Sequence, residues 1–172
     1  MDVLEAIKTR RSVRRYKPDP VPEEILKEIL SAARMAPSAD NAQPWKFVVV
    51  TDEEIKRKLV QACNSQKFIA EAPIVIVGCG FPDDAYATAG GYMNSFVMDV
   101  MIAMDHLILA ATSLGLGSCW IAAFKEEKVR EIIGIPSDAR VVALTPLGYP
   151  NEVPNKTSRK SLAELISYDK FE

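Results

Sequence analysis

Residues 92–114, YMNSFVMDVMIAMDHLILAATSL, decide how this chain must be organised. Helical spacing puts Ser95, Asp99, His106 and Ser113 on one narrow polar stripe. Nearly all the remaining circumference is apolar, with Val97, Met101, Met104 and Ile108 on one side and Phe96, Val100, Ala103 and Leu107 on another. A helix apolar almost all round is buried almost all round. A chain of 172 residues makes one domain and cannot easily surround such a helix alone, so a second subunit is expected to cover part of it. Asp99, Asp105 and His106 would be costly in hydrocarbon, so the stretch reads as a core helix of a soluble protein and no membrane span is expected. Gly115 and Gly117 are expected to end the helix.

Before this helix, Pro73 leads into Ile74-Val75-Ile76-Val77, a run too short and too β-branched for a helix and without polar alternation. It is expected to be a central strand covered on both faces. Phe47 to Val50 and Val141 to Leu144 read as further strands, and Cys119 to Ala122 as extended. Asp2 with Glu5 predicts a capped first helix, Pro22 opens a second that Pro37 ends, and Thr51 is expected to cap a third reaching Cys63. Lys125 to Ile133 is a fourth candidate, stopped by Gly134, and Ser161 with Glu164 caps a short helix to Ile166. Helices and strands are mixed without βαβ repetition. No internal repeat, low-complexity stretch or linker is visible, and Pro150 to Lys160 reads as an extended arm.

Composition narrows the chemistry. With 48% hydrophobic residues the chain is not disordered, and three scattered cysteines, Cys63, Cys79 and Cys119, do not make a disulfide scaffold. A reducing, cytoplasmic setting is expected, and no targeting segment is read at the N-terminus. His106 is the single histidine, so imidazole-based nucleophilic or zinc chemistry must use it or do without. Asp105 is its neighbour in sequence but does not share its face, which favours a histidine satisfied on an interface helix over a catalytic base. Met93, Met98, Met101 and Met104 read as packing and not as a metal site. The pair Gly78 and Gly80 lacks the third glycine of a dinucleotide fingerprint, Asp83 standing there instead, and reads as a strand end.

Charge is uneven. Residues 1–17 hold six basic side chains against two acidic ones, whereas no Lys or Arg lies between Lys67 and Lys125, and basic residues return at Lys156, Arg159 and Lys160. Two readings follow, an arm for nucleic acid or two segments converging on one small anion, and the net charge of −2 favours the second. Arg10-Arg11-Ser12-Val13-Arg14 places three guanidinium groups and a hydroxyl where a helix gives way to another conformation, which suits a phosphate dianion. The loop Pro37-Ser38-Ala39-Asp40-Asn41-Ala42-Gln43-Pro44-Trp45 is polar, bracketed by prolines and closed by an aromatic wall. It fits a flat polar heterocycle or a structural corner.

These two segments, with Leu114-Gly115-Leu116-Gly117-Ser118-Cys119-Trp120-Ile121 and the tail around Arg159, resemble the nitroreductase family of FMN-dependent oxidoreductases. The four stretches occur in the family's order and span almost the whole chain. The resemblance implies an α+β fold, a mostly antiparallel sheet flanked by helices, and one domain over residues 1–172. It also implies a homodimer that exchanges its C-terminal arms, from about residue 150, around the long helix. By the same resemblance Arg10, Arg11 and Ser12 hold the phosphate and ribityl chain, Arg14 lies near N1 and O2 of the flavin, and Arg159 adds a charge at the phosphate. Pro37, Ser38 and Asn41 come from the other subunit, backbone N–H groups around Ala122 and Ala123 face N5 and O4, Ile121 is a further cofactor-binding residue, and Gln66 lies near the pyrimidine edge. Many members carry Lys two residues before the tail Arg, where this chain has Thr157. The loop Gly80 to Gly91 is short for a substrate lid, implying a small or open pocket.

The implied activity is ping-pong transfer of hydride from NADH or NADPH through FMN to a small electron-poor acceptor such as a nitroaromatic or quinone. The chemistry rests on FMN N5, with no catalytic side chain and no metal. Reductive dehalogenation, dehydrogenation, flavin destruction or a flavin-binding dimer without turnover are the alternatives.

Overall fold

The computed structural model describes residues 1–171. Helices α1 (Val3–Thr9) and α2 (Glu23–Arg34) precede strand β1 (Trp45–Val50). Then come α3 (Glu53–Ala62), α4 (Phe68–Glu71), β2 (Ile74–Gly80), the long α5 (Phe96–Ser113), β3 (Gly117–Ser118), α6 (Glu126–Ile133) and β4 (Arg140–Gly148). The strands form one sheet in the order β1-β2-β4-β3, antiparallel throughout, so the architecture is α+β as expected.

Strand β2 is buried at every residue, as its unbroken apolar run predicts. Its side chains alternate between two cores. Ile74 and Ile76 meet Ile29, Ala33, Met104 and Leu107 of α2 and α5, whereas Val75 and Val77 meet Leu59, Ile69 and Val129 of α3, α4 and α6. The strand runs on through Gly78 and Gly80, because these glycines let α5 lie against the sheet. A Cβ on Gly80 would stand 2.7 Å from Phe96 Cδ2, and one on Gly78 3.0 Å from Met104 Sδ.

Several boundaries differ from the sequence expectation for local reasons. Helix α5 starts at Phe96 and not at Tyr92, because Asn94 spends its side chain on the preceding loop, accepting from Phe96 N at 3.0 Å and donating to Pro82 O at 2.9 Å. Asp52 and not Thr51 caps α3, its carboxylate accepting from Ile55 N at 2.8 Å. Gly115, at φ +81°, ends α5, with Leu116 N donating back to Ala111 O at 2.8 Å. Gly117 instead belongs to β3, where a Cβ would press on Val13 at 2.7 Å.

The polar stripe of α5 is also not a solvent face. Ser95 and Asp99 are buried, while Met98, Met101 and Ile102 are exposed to 37%, 43% and 38%. The helix is long and apolar enough to cross a membrane by length and composition, yet Val100, Met104, Leu107 and Ile108 are in the core of the fold.

One buried charge holds the other helical layer to the sheet. Lys56, 1% exposed, donates to Ala72 O at 2.7 Å just before β2 and pairs with Glu53 at 2.7 Å. Lys56→Met is expected to lower stability by about 2–3 kcal/mol, because the Ala72 carbonyl is then buried without a donor. Urea unfolding followed by tryptophan fluorescence measures this.

Candidate active site

After α1 the chain cannot stay helical, since it is drawn into the sheet edge. Val13 N donates to Ser118 O at 2.9 Å, and Ser12 and Tyr16 form bridges with Ser118 and Pro150. Val13 is buried, so in this extended segment Ser12 and Arg14 point the other way. The chain beyond β4 runs alongside, with Asn151 N donating to Arg15 O at 2.8 Å and the Glu152 carboxylate accepting from Arg14 N at 2.6 Å.

The tail then crosses the arginine cluster. Arg10, Arg11, Ser12 and Arg14 line one cavity of about 280 Å³ with Pro154, Asn155, Thr157 and Arg159. Guanidinium groups from both ends of the sequence thus face one small space. None of them pairs with a carboxylate among the described residues. Thr157 accepts from Arg159 Nη1 at 2.7 Å and so orients it. Lys156 lines an adjoining hollow of about 410 Å³ that also reaches Arg10 and Arg11.

Arg14 is linked to a second group of expected residues through Phe68, two positions after Gln66. Its guanidinium carbon stands 5.9 Å from the centre of the Phe68 ring. Gln66 donates to Cys63 O at 2.9 Å and to Ala123 O at 3.3 Å. Ala122 and Ala123 are exposed at this corner. Ile121, by contrast, is 2% exposed, and both its backbone groups bond to Leu144, at 2.9 and 3.1 Å.

Pro37, Ser38 and Asn41 lie elsewhere. Their loop enters β1 at Trp45, which pairs with Gly80 at the far end of β2, whereas Ser12 and Ser118 adjoin Leu147, the partner of Ile74 at the near end. The length of β2, about 20 Å, separates the two groups. The loop is preformed: Asp40, Asn41 and Gln43 have φ of 53°, 54° and 50°, and Ser38 Oγ accepts from Gln43 N at 2.9 Å.

The chain offers no activated nucleophile here. Burial pushes the Cys63 and Cys79 thiols up to about 11, and it raises Cys119 too, against the opposing pull of Arg14 and Ser12. His106 lies with Asp105 in a groove between α1, α2 and α5, bordered by Met1, Ile7, Met35 and Leu109.

The model of the Nitroreductase family matches residues 7–77 and 61–149. The chain belongs to the nitroreductase family. A family relative called an NADH dehydrogenase, from Thermus thermophilus, is 36% identical over 195 residues, covering 96% of this chain and 95% of its own. The crystal structure of a nitroreductase family protein from Clostridium difficile 630 superposes with a TM-score of 0.90 at 32% identity, over 99% of this chain and 100% of the other. The NADPH:FMN oxidoreductase from Vibrio harveyi, solved in complex with NAD+, gives a TM-score of 0.90 at 25% identity, over 99% of this chain and 78% of its own. Membership of the nitroreductase family makes this chain an oxidoreductase.

Two residues of this nitroreductase-family site escape sequence reasoning. Phe68 lies on a four-residue helix too short to show periodicity, and Glu152 meets Arg14 across 138 positions of sequence. Only the acidic residue after the proline-bearing strand end, in Pro150-Asn151-Glu152, hints at the second.

Proposed function

We propose that this nitroreductase-family chain is the protomer of a homodimeric, FMN-dependent oxidoreductase that takes hydride from NADH or NADPH and reduces a small electron-poor acceptor of nitroaromatic or quinone type. The observation that carries this reading is the cavity in which Arg10, Arg11, Arg14 and Arg159 converge beside Ser12 without a carboxylate partner among the described residues. Such a donor set fits a phosphate monoester, each bidentate arginine contact contributing about 1.5–3 kcal/mol.

In this reading Arg10, Arg11, Ser12 and Arg159 hold the phosphate and ribityl chain. Arg14 holds a positive charge at the N1 and O2 edge, while Gln66 and the backbone of Ala122 and Ala123 orient the pyrimidine and N5 side. Bound FMN supplies the centre that accepts hydride from NAD(P)H and passes it to the acceptor. Side chains of this protein bind and orient, and none is required as a nucleophile.

A second copy completes the site. Pro37, Ser38 and Asn41 are a strand length away from the arginines of their own chain, so they would serve the cavity of a partner. The apolar surface that such a partner would cover is present: Met98, Met101 and Ile102 on α5, with Val3, Leu4 and Ile7 on α1, are exposed. Residues 150–159 lie along their own chain, and the tail beyond Arg159 would reach the partner, since Leu162, Leu165, Tyr168 and Phe171 are exposed on their own chain. Three buried free cysteines support a cytoplasmic setting.

Purified protein is expected to be yellow, and anaerobic addition of NADH or NADPH to bleach the flavin absorbance, with colour returning on addition of a nitroaromatic or quinone. Colourless protein that takes up no added FMN would overturn the reading.

A further inference from the structure

The long helix carries a buried polar pair that the proposed chemistry does not use. Asp99 and Ser95 are 3% and 0% exposed on a helix whose other buried side chains are apolar. The Asp99 carboxylate accepts from Ala39 N at 3.0 Å with one oxygen and from Ser95 Oγ at 2.7 Å with the other. Ser95 in turn accepts at its Oγ from Tyr86 N at 3.1 Å, and its own N–H donates to Tyr86 O at 2.9 Å.

These bonds join two loops that lie far apart in sequence. Ala39 belongs to the loop 37–44, which holds three non-glycine residues at positive φ, a conformation that must be stabilised by its surroundings. Tyr86 belongs to the loop 81–95, which includes most of the Gly80 to Gly91 stretch that the resemblance sets in the place of a substrate lid. The loops also touch directly, Phe81 N donating to Pro44 O at 2.9 Å. The pair has one exit towards each loop: Asp99 alone reaches Ala39, and Ser95 alone reaches Tyr86.

We infer that Asp99 and Ser95 form a two-way positioning device, Asp99 setting the flavin-facing loop 37–44 and Ser95 setting the acceptor-facing loop 81–95 against it. Neither residue touches the reacting atoms, so both act through the loops they hold. The inference rests on the proposed FMN reading, because that reading assigns loop 37–44 to the flavin.

The chemistry of each side chain separates the two functions. Removing the carboxylate takes the acceptor from Ala39 N and from the Ser95 hydroxyl, so loop 37–44 loses its tie and the Ser95–Tyr86 contact loses its anchor, whereas removing the Ser95 hydroxyl leaves the bond from Ala39 to Asp99 in place. Asp99→Ala is therefore expected to weaken FMN binding by about tenfold or more and to raise the acceptor KM. Ser95→Ala is expected to keep FMN affinity within about twofold while raising the acceptor KM about fivefold at nearly unchanged kcat, and Ser95→Thr, which keeps a hydroxyl, is expected to restore the KM.

The test is FMN titration by fluorescence quenching with wild-type protein and all three variants, followed by steady-state kinetics with one quinone acceptor at saturating FMN. If wild-type protein binds no FMN, the functional reading itself fails. If wild-type protein binds FMN but Asp99→Ala binds it equally well, the positioning inference fails on its own. It fails as well if Ser95→Ala and Asp99→Ala lose FMN affinity and acceptor KM in the same proportion, or if Ser95→Thr does not recover the KM. Either result would mean general destabilisation and no division of labour.

Discussion

A variant carrying both Arg10→Ala and Arg159→Ala is expected to bind FMN at least about a hundredfold more weakly than the parent, since it removes two charge-assisted contacts of about 1.5–3 kcal/mol each. The two residues converge from opposite ends of the sequence on one cavity, and neither forms an ion pair among the described residues. Riboflavin, which has no phosphate, should bind parent and variant with nearly the same affinity. Fluorescence titration with both flavins checks this, and an equal loss for riboflavin would assign the arginines to structure and not to phosphate.

The same variant tests whether the site is shared between copies. Asn41→Val spoils the other half, because a β-branched residue is strained at the φ of 54° that Asn41 adopts, and the amide is lost. Each variant alone should be nearly colourless. Mixed under conditions that allow subunit exchange, they form hybrids in which the intact arginines of one chain meet the intact loop of the other. One site of each hybrid dimer is then restored, and roughly a quarter of parental FMN occupancy should return. No recovery on mixing would place both halves in a single chain.

The second large effect is expected at Arg14. Its guanidinium is exposed and lies over Phe68, two positions after the Gln66 that bonds Ala123, and the proposed reading puts there the flavin edge that becomes more negative on reduction. Removing that charge withdraws stabilisation from the reduced state more than from the oxidised one. Arg14→Ala should lower the two-electron potential by about 30–60 mV, equivalent to about 1.4–2.8 kcal/mol. Arg14→Lys should recover part of the shift. Equilibration with a reference dye measures the potential. An unchanged value would remove the Arg14 side chain from the flavin edge.

Much of the fold is legible along the chain because it is set by local chemistry. The β-branched run Ile74 to Val77 forces a central strand, Gly134 at φ +67° stops α6, and the Ser161–Glu164 capping box forms as its spacing predicts. Boundaries slip where a side chain finds a partner that periodicity cannot register. Asn94 binds back to its loop and delays α5, Asp52 takes the cap expected of Thr51, and Gly78 and Gly80 extend β2 because α5 presses close. Ser95 and Asp99 face inward because Ala39 and Tyr86 supply their partners there.

Residue type and short-range spacing are enough for the mixed helix and strand character, the buried strand, the cationic ends around a middle without Lys or Arg and the segments that resemble a flavin site. Three-dimensional pairing was needed to show that Arg10 and Arg159 share a cavity, that Ile121 spends its backbone on Leu144, and that the loop around Ser38 lies a strand length from those arginines. Antiparallel pairing explains that division. Register along β2 and β4 carries distant segments to the same end of the sheet or to opposite ends, and nothing in a residue's own neighbourhood records which.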